Sequence, residues 1–325
     1  MKSQNLVAGI DVSKDTLDIY YNDAKGVEHA CKVSNDLTGH EALLAKLGSK
    51  RLYVLESSGP YYLRLAFYFK KKGIDIRVEN PICIKRFIQM NLERNKNDQK
   101  DARWIFRYAQ SREVKPWQLP AKEQLQCQAI INAIDLYQRQ ILMLSNQLHA
   151  LEQLPVKFRQ VSKSLLDMQS DLEAEVAHLE KGLQVRLQKW QAIQLRCLSS
   201  IPGLGKRAVA LLLVYTEGFT KVQNYRQLIA LAGLSPREHT SGTSIKGKKG
   251  ICKMGSGRLR KVLYMCSMSA IRHNRACKDL YERLKAKGKN GKLALIAVCN
   301  KLLKQAFAVA TKGTLYQPNY NSIKP

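Results

Sequence analysis

Residues 6–21 read LVAGIDVSKDTLDIYY, and this stretch decides the fold. Leu6 to Ile10 is an apolar run of strand length, and Thr16 to Tyr21 mixes β-branched and aromatic residues in a second. The turn formers Asn22-Asp23-Ala24-Lys25-Gly26 are expected to join these two as a hairpin. Working outward, Leu52 to Leu55 is a further strand. Tyr62 to Lys72 carries an apolar stripe at helical spacing and stops at Gly73, and Ile74 to Val78 is strand again. Short strands alternating with helices through residues 1–120 predict an α/β domain.

Residues 121–197 follow another period. Apolar positions recur at Leu125, Ile130, Ile134, Tyr137, Ile141, Leu144, Leu148 and Leu151. Pro155 interrupts, and the pattern resumes from Phe158 through Leu165, Leu172 and Leu179 to Leu183. Two helices of roughly 45 Å each, at 1.5 Å per residue, are predicted to fold back as an antiparallel coiled coil. Such a hairpin serves packing alone or projects as a dimerisation arm, and the spacing leaves both readings open. Residues 198–325 read as a mainly α-helical, glycine-rich, basic domain with an irregular tail after Lys312.

Lys and Arg number 54 against 26 Asp and Glu, a formal charge of +28. Such an excess repels itself in a compact fold unless a polyanion is near, and nucleic acid is the polyanion that rewards it by releasing counterions. The eight cysteines are scattered, without a CxxC pair or a His cluster, which argues against a zinc site and a disulfide framework. The N-terminal residues lack the apolar core of a signal peptide, and no apolar run is read as long enough to span a bilayer. A cytoplasmic protein with no membrane partner is expected.

Four acids stand out. Asp11 follows the first strand and Glu56 a middle one. Asp98 and Asp101 sit three apart in a segment expected to be helical, hence on one helix face. Taken singly, each has an ordinary role: a cap, a strand-end carboxylate, a solvated neighbour of lysines. Taken in order, they form what an RNase H-like site needs, since gathered carboxylates repel unless a cation such as Mg²⁺ neutralises them.

The later residues carry phosphate chemistry. Ile201-Pro202-Gly203-Leu204-Gly205-Lys206 precedes an apolar helix, so Gly203, Gly205 and Lys206 could present backbone amides and a cation to phosphate, as a helix-hairpin-helix does. The same turn is also an ordinary helix start with a proline. Next comes Ser235 to Ser244, then a cationic stretch expected to be irregular, with Arg237, Lys246, Lys248, Lys249, Lys253, Arg258 and Arg260 as candidate nucleic-acid contacts. From Arg258, an amphipathic helix places Leu259, Val262, Leu263, Cys266 and Ala270 on one stripe. A loop serine such as Ser241 would by itself read as a hydrogen-bonding residue.

Three segments, GIDVSKDTLDIYY (9–21), VLESSGPYY (54–62) and NKNDQKDAR (95–103), resemble the DEDD motif of insertion-sequence transposases of the IS110 family. These are similar to Piv-type DNA invertases and, in this half, to RuvC-like resolvases. The likeness continues in LSSIPGLGKRAVALLL (198–213) and in residues 231–264, so it covers nearly the whole chain. Asn97 departs from the threonine often found before the first Asp of the pair, while Asp15 and Asp18 fall outside the motif. The resemblance implies a RuvC-like catalytic domain (1–120), a coiled-coil arm (121–197) and a C-terminal transposase domain (198–325). It implies that Asp11, Glu56, Asp98 and Asp101 bind Mg²⁺ and that Ser241 is the nucleophile joined to DNA, with Ser244 the alternative. Glu238 and His239 receive no catalytic role. It further implies donor and target DNA as substrates, a non-coding bridge RNA as guide, and dimers that pair into tetramers, with a composite site built from both halves. Two rivals stand beside this reading: a hydrolytic junction-resolving nuclease using the four acids alone, and a nucleic-acid-binding protein without chemistry.

Overall fold

The computed structural model describes residues 6–91, 98–237, 240–241, 245–246 and 250–318, with the backbone alone at 98, 99, 240, 241, 245 and 246. The chain divides into two compact units, Met1–Leu119 and Pro120–Pro325.

Unit one is a five-stranded mixed sheet. Its strands are β1 (Val7–Val12), β2 (Thr16–Asn22), β3 (Glu28–Ser34), β4 (Leu52–Glu56) and β5 (Ile76–Glu79), in the order β3-β2-β1-β4-β5. β1 pairs antiparallel with β2 and β2 with β3, whereas β1 with β4 and β4 with β5 are parallel. One correction follows for the expected hairpin. β1 and β2 are joined at Ser13 to Asp15, where the Ser13 hydroxyl donates to Thr16 O at 2.8 Å. The Asn22–Gly26 run instead leads into β3, with Asp23 Oδ1 accepting from the Lys25 and Val27 amides at 2.9 Å each.

Helices cover both faces of the sheet. α1 (Leu37–Leu47) starts at Asp36, whose carboxylate accepts from the Gly39 amide at 2.8 Å, and α2 is Tyr62–Lys71. α3 (Pro81–Met90) has Asn80 as its cap and proline at its first turn, and α4 is Asp98–Ser111. Strand alternation sorts the sheet residues. Ala8, Ile10, Leu17, Ile19, Tyr53, Leu55 and Ile76 pack with Leu43, Leu65 and Phe69 of α1 and α2. Val7 and Val54 pack on the other side with Ile84 of α3 and Ile105, Phe106 and Ala109 of α4.

Unit two begins with α5 (Lys122–Glu152) and α6 (Arg159–Ser199). These run antiparallel: Ser145 bonds Gln169 near the tip, while Ile131 and Ile134 share a core with Leu183 and Leu187 nearer the base. At 41 residues α6 is longer than expected, roughly 60 Å. Its last turns enter the main core with α7 (Lys206–Thr216), whose stretch from Ala208 to Val214 is buried throughout. α8 (Tyr225–Leu231) follows. The stretch expected to be irregular contains two short ladders: β6 (Pro236–Arg237), β7 (Thr240–Ser241), β8 (Ile245–Lys246) and β9 (Gly250–Ile251), with β6 paired to β9 and β7 to β8. α9 (Gly257–His273), α10 (Arg275–Ala286) and α11 (Gly291–Lys312) complete the unit. α11 corrects the membrane reading, because by length and composition its 22 residues could cross a bilayer. Its apolar face, Ala294, Val298, Cys299, Leu302, Leu303 and Ala306, is instead core. Burial there pushes the thiols of Cys277 and Cys299 up to about 12 and about 11, far from metal-binding thiolates.

Candidate active site

The site is built by register. Ile10 of β1 lies beside Leu55 of β4, so Asp11 and Glu56 are the next residues along on two abutting parallel strands, about 4.8 Å apart by sheet spacing. Alternation places both on the face that α4 covers, since Val7 and Val54 point there and Ile10 and Leu55 point away. α4 comes very close to β1: a Cβ at Gly9 would stand 2.2 Å from the Phe106 amide nitrogen and 2.5 Å from the Ala102 carbonyl. Glycine therefore lets the helix carrying positions 98 and 101 lie on the strand carrying Asp11. Those two positions belong to a stripe that continues through Ile105 and Tyr108.

Two acids outside the motif share this face. Asp18 of β2 sits opposite Asp11, is nearly buried, and pairs with Lys32 Nζ at 3.1 Å. Glu79 of β5 sits beside Glu56 and accepts from the Tyr108 hydroxyl at 3.1 Å. Sequence reading ended that strand at Val78; the strand period carried one step further would have placed Glu79 on the same face. Burial first, then the charge of Glu79, pushes the Tyr108 phenol up to about 12.

Among the described residues no group of three or more His, Cys, Asp or Glu side chains is placed to hold a metal ion, and the side chain at position 98 lies outside that set. Among the described residues the motif positions here offer carboxylate oxygen, and the neighbouring Cys83 thiol, which hydrogen-bonds Glu79 and Tyr108, is pushed up by burial and then by the charge of Glu79, away from the thiolate a metal would take. Carboxylate oxygen suits Mg²⁺, which takes one or two protein carboxylates and fills its other positions with water and phosphate oxygens.

Unit two holds the other candidates. The backbone of Ser241 lies in β7, paired with Ile245, and Lys246 pairs with Thr240. Lys248, Lys249, Ser244, Glu238 and His239 lie outside the described residues. Arg237 and Lys253 are exposed. Arg258 is already engaged: its guanidinium pairs with Asp135 and donates to Asn132 Oδ1 at 2.8 Å, tying α9 to α5. Arg260 donates to the Ala232 carbonyl at 3.0 Å. These two arginines brace the unit.

The glycine turn divides in the same way. Gly203 has φ +88°, and a Cβ there would lie 2.5 Å from Ala270 Cα, so packing against α9 demands glycine. Gly205 has open space around it and is exposed with Lys206 at the start of α7, beside a cavity of about 310 Å³ that Lys181 and Glu180 also line.

A mixed sheet in the order 3-2-1-4-5, with acids where its central parallel strands end, defines an RNase H-like α/β domain. A family model for transposases of the DEDD type found in IS110 matches residues 8–154, and that of the transposase IS116/IS110/IS902 family matches 195–282. The pilin gene-inverting protein of Moraxella bovis is 25% identical over 317 residues, covering 93% of this chain and 94% of that protein. The transposase for insertion sequence element IS1111A of Coxiella burnetii is 22% identical over 344 residues, covering 96% and 91%. A structure of T. thermophilus RuvC in complex with a Holliday junction substrate is 14% identical and covers 35% of this chain and 100% of its own, with a TM-score of 0.27. The chain belongs to the IS110 family of DNA transposases and recombinases.

Proposed function

We propose that this protein cuts and rejoins DNA strands through a covalent serine–DNA intermediate, with carboxylate-held Mg²⁺ and a bridge RNA as guide. The observation that carries the reading is the β1–β4 register, which sets Asp11 and Glu56 side by side under α4. Asp11, Glu56, Asp98 and Asp101 hold the metal. When bound, the ion supplies positive charge where phosphate oxygens gain negative charge. The Ser241 hydroxyl attacks the scissile phosphorus, the P–O bond to the leaving strand breaks, and that strand departs with the proton as a free hydroxyl. A hydroxyl from a second strand then attacks the serine-bound phosphate and restores Ser241. One phosphodiester is made for each one broken, so no nucleotide cofactor is required.

Arg237, Lys246, Lys248, Lys249, Lys253, Gly205 and Lys206 neutralise or cradle backbone phosphate. RNA guidance fits a basic protein that grips backbone while base pairing selects sequence. The α5–α6 hairpin pairs copies into dimers and tetramers. In support, it leaves Leu136, Leu142, Met143, Val161, Leu166 and Met168 exposed along its length, apolar surface that a second copy would cover.

A trapping assay tests the reading. Protein, RNA transcribed from the flank of its own element, Mg²⁺ and labelled donor and target DNA are mixed and run on a denaturing gel. Label should migrate with the wild-type protein and not with Ser241→Ala or Asp11→Asn, each down by on the order of 10³-fold. Equal cutting by wild type and Ser241→Ala, with no attached DNA, would replace this reading with a hydrolytic nuclease.

A further inference from the structure

Glu79 belongs to no catalytic motif, yet it touches both elements that carry the proposed metal ligands. On one side it reaches the end of β4. Its carbonyl accepts from the Ser57 amide at 2.9 Å and from the Ser57 hydroxyl at 3.1 Å, and Ser57 directly follows Glu56. On the other side it reaches α4, where its Oε2 accepts from Tyr108 at 3.1 Å. Its Oε1 is occupied by the Asn80 amide at 2.7 Å, so both carboxylate oxygens are spoken for and the side chain is fixed. Tyr108 is held in turn by its ring, edge-on to Phe87 with centroids 5.3 Å apart.

The helix stripe makes this tie consequential. Tyr108 follows Asp101 by seven residues, two turns along the same side of α4. Holding Tyr108 therefore fixes the rotation of α4 about its axis, and with it the direction Asp101 takes from the helix. Gly9 fixes how near the helix lies, and the Tyr108–Glu79 bond fixes how it is turned.

We propose that Glu79 is a positioning residue: through Ser57 and Tyr108 it sets Glu56 and Asp101 at the separation one divalent ion requires. The proposal rests on the reading that those acids hold metal. Partners that orient metal ligands typically govern metal affinity by about 10- to 100-fold.

The test titrates Mn²⁺ into the full-length protein and counts free Mn²⁺ by electron paramagnetic resonance, alongside cleavage at varied Mn²⁺. Tyr108→Phe keeps the packed ring and removes one hydroxyl; Glu79→Gln keeps the side-chain shape and the carbonyl to Ser57. Each is expected to raise the Mn²⁺ dissociation constant about 10-fold. Cleavage at saturating Mn²⁺ should stay within about three-fold of wild type, and the double variant should add little to either single one, as for residues acting through one bond. Unchanged Mn²⁺ binding in both single variants would overturn the proposal. Loss of binding in Glu79→Gln with none in Tyr108→Phe would also overturn it, by making Glu79 itself a ligand. Glu56→Gln separates the two levels: if it still binds Mn²⁺ as wild type does, the metal reading beneath fails, whereas its loss beside silent Glu79 and Tyr108 variants sinks the positioning role alone.

Discussion

The two compact units hold their candidate chemistry by opposite means. In unit one Asp11 and Glu56 sit where buried strands end, and their spacing is fixed by the hydrophobic core: Val7 and Val54 on one face, Ile10 and Leu55 on the other. In unit two Ser241 sits on a two-residue ladder within a stretch of lysines and glycines. Charge is divided just as unevenly. Residues 200–325 hold 24 Lys and Arg against 4 Asp and Glu, whereas residues 1–119 hold 21 against 14 and residues 121–199 hold 9 against 8. A metal site needs rigid spacing and tolerates little surrounding positive charge, while a phosphate grip needs charge and tolerates loose geometry. On the proposed reading, each unit answers one of these demands.

The largest expected effect strikes the rigid side. Gly9→Ala drives a methyl into the backbone of α4, destabilising unit one by about 3 kcal/mol and abolishing cleavage. DNA affinity of the full chain, measured by fluorescence anisotropy, should stay within a few-fold because unit two carries the charge. Equal loss of binding and cleavage would break the comparison. Next come the two glycines before α7. Gly203→Ala must overlap Ala270 in a left-handed conformation and should lower stability by about 2 kcal/mol in a denaturant melt. Gly205→Ala meets no neighbour and loses only glycine's preference at the start of α7, so it should cost less than Gly203→Ala, below about 1 kcal/mol.

Salt dependence sharpens the division among the cations. Lys253→Gln should reduce the slope of log affinity against log salt by about one while leaving the melt unchanged. Arg258→Gln should leave that slope in place and lower the melt, because it strips Asp135 of an internal partner. The smallest effect is alkaline. Tyr53 and Tyr108 are both pushed from an ordinary value of 10.0 up to about 12, mainly by burial. A raised acid contributes stability that is intact below pH 10 and is lost as pH climbs from about 10 to about 12. Tyr108→Phe should therefore flatten part of the fall in stability across that window.

Much of unit one was legible because its signals are periodic. β1, β2 and β4 are apolar runs of strand length, and α2 ends at a glycine, so each could be read directly. β3 could not. Its sequence EHACKVS is largely exposed at the sheet edge and lacks the apolar alternation that marks a half-buried strand, and overlooking it misplaced the hairpin turn. The order of the four acids was legible, and the sheet face that Asp11 and Glu56 share follows from alternation. Glu79 was missed because the strand was ended one residue short, and nothing in one sequence says that β5 lies beside β4. The internal duties of Arg258 and Arg260 were equally hidden, since a run of cations reads alike whether it faces solvent or braces a fold.

The β1–β4 register carries one more lesson. Sliding β1 by a single residue against β4 would turn Asp11 away from Glu56, but it would also carry Ile10 out of its core and a carboxylate into it. A misassembled site is thus coupled to a misassembled sheet, and the hydrophobic effect acts as a proofreader for geometry it never touches. Molecules of this protein that fold at all arrive with those two acids aligned. Inactive yet well-folded copies of such an element should therefore accumulate their damage in side chains, not in strand pairing.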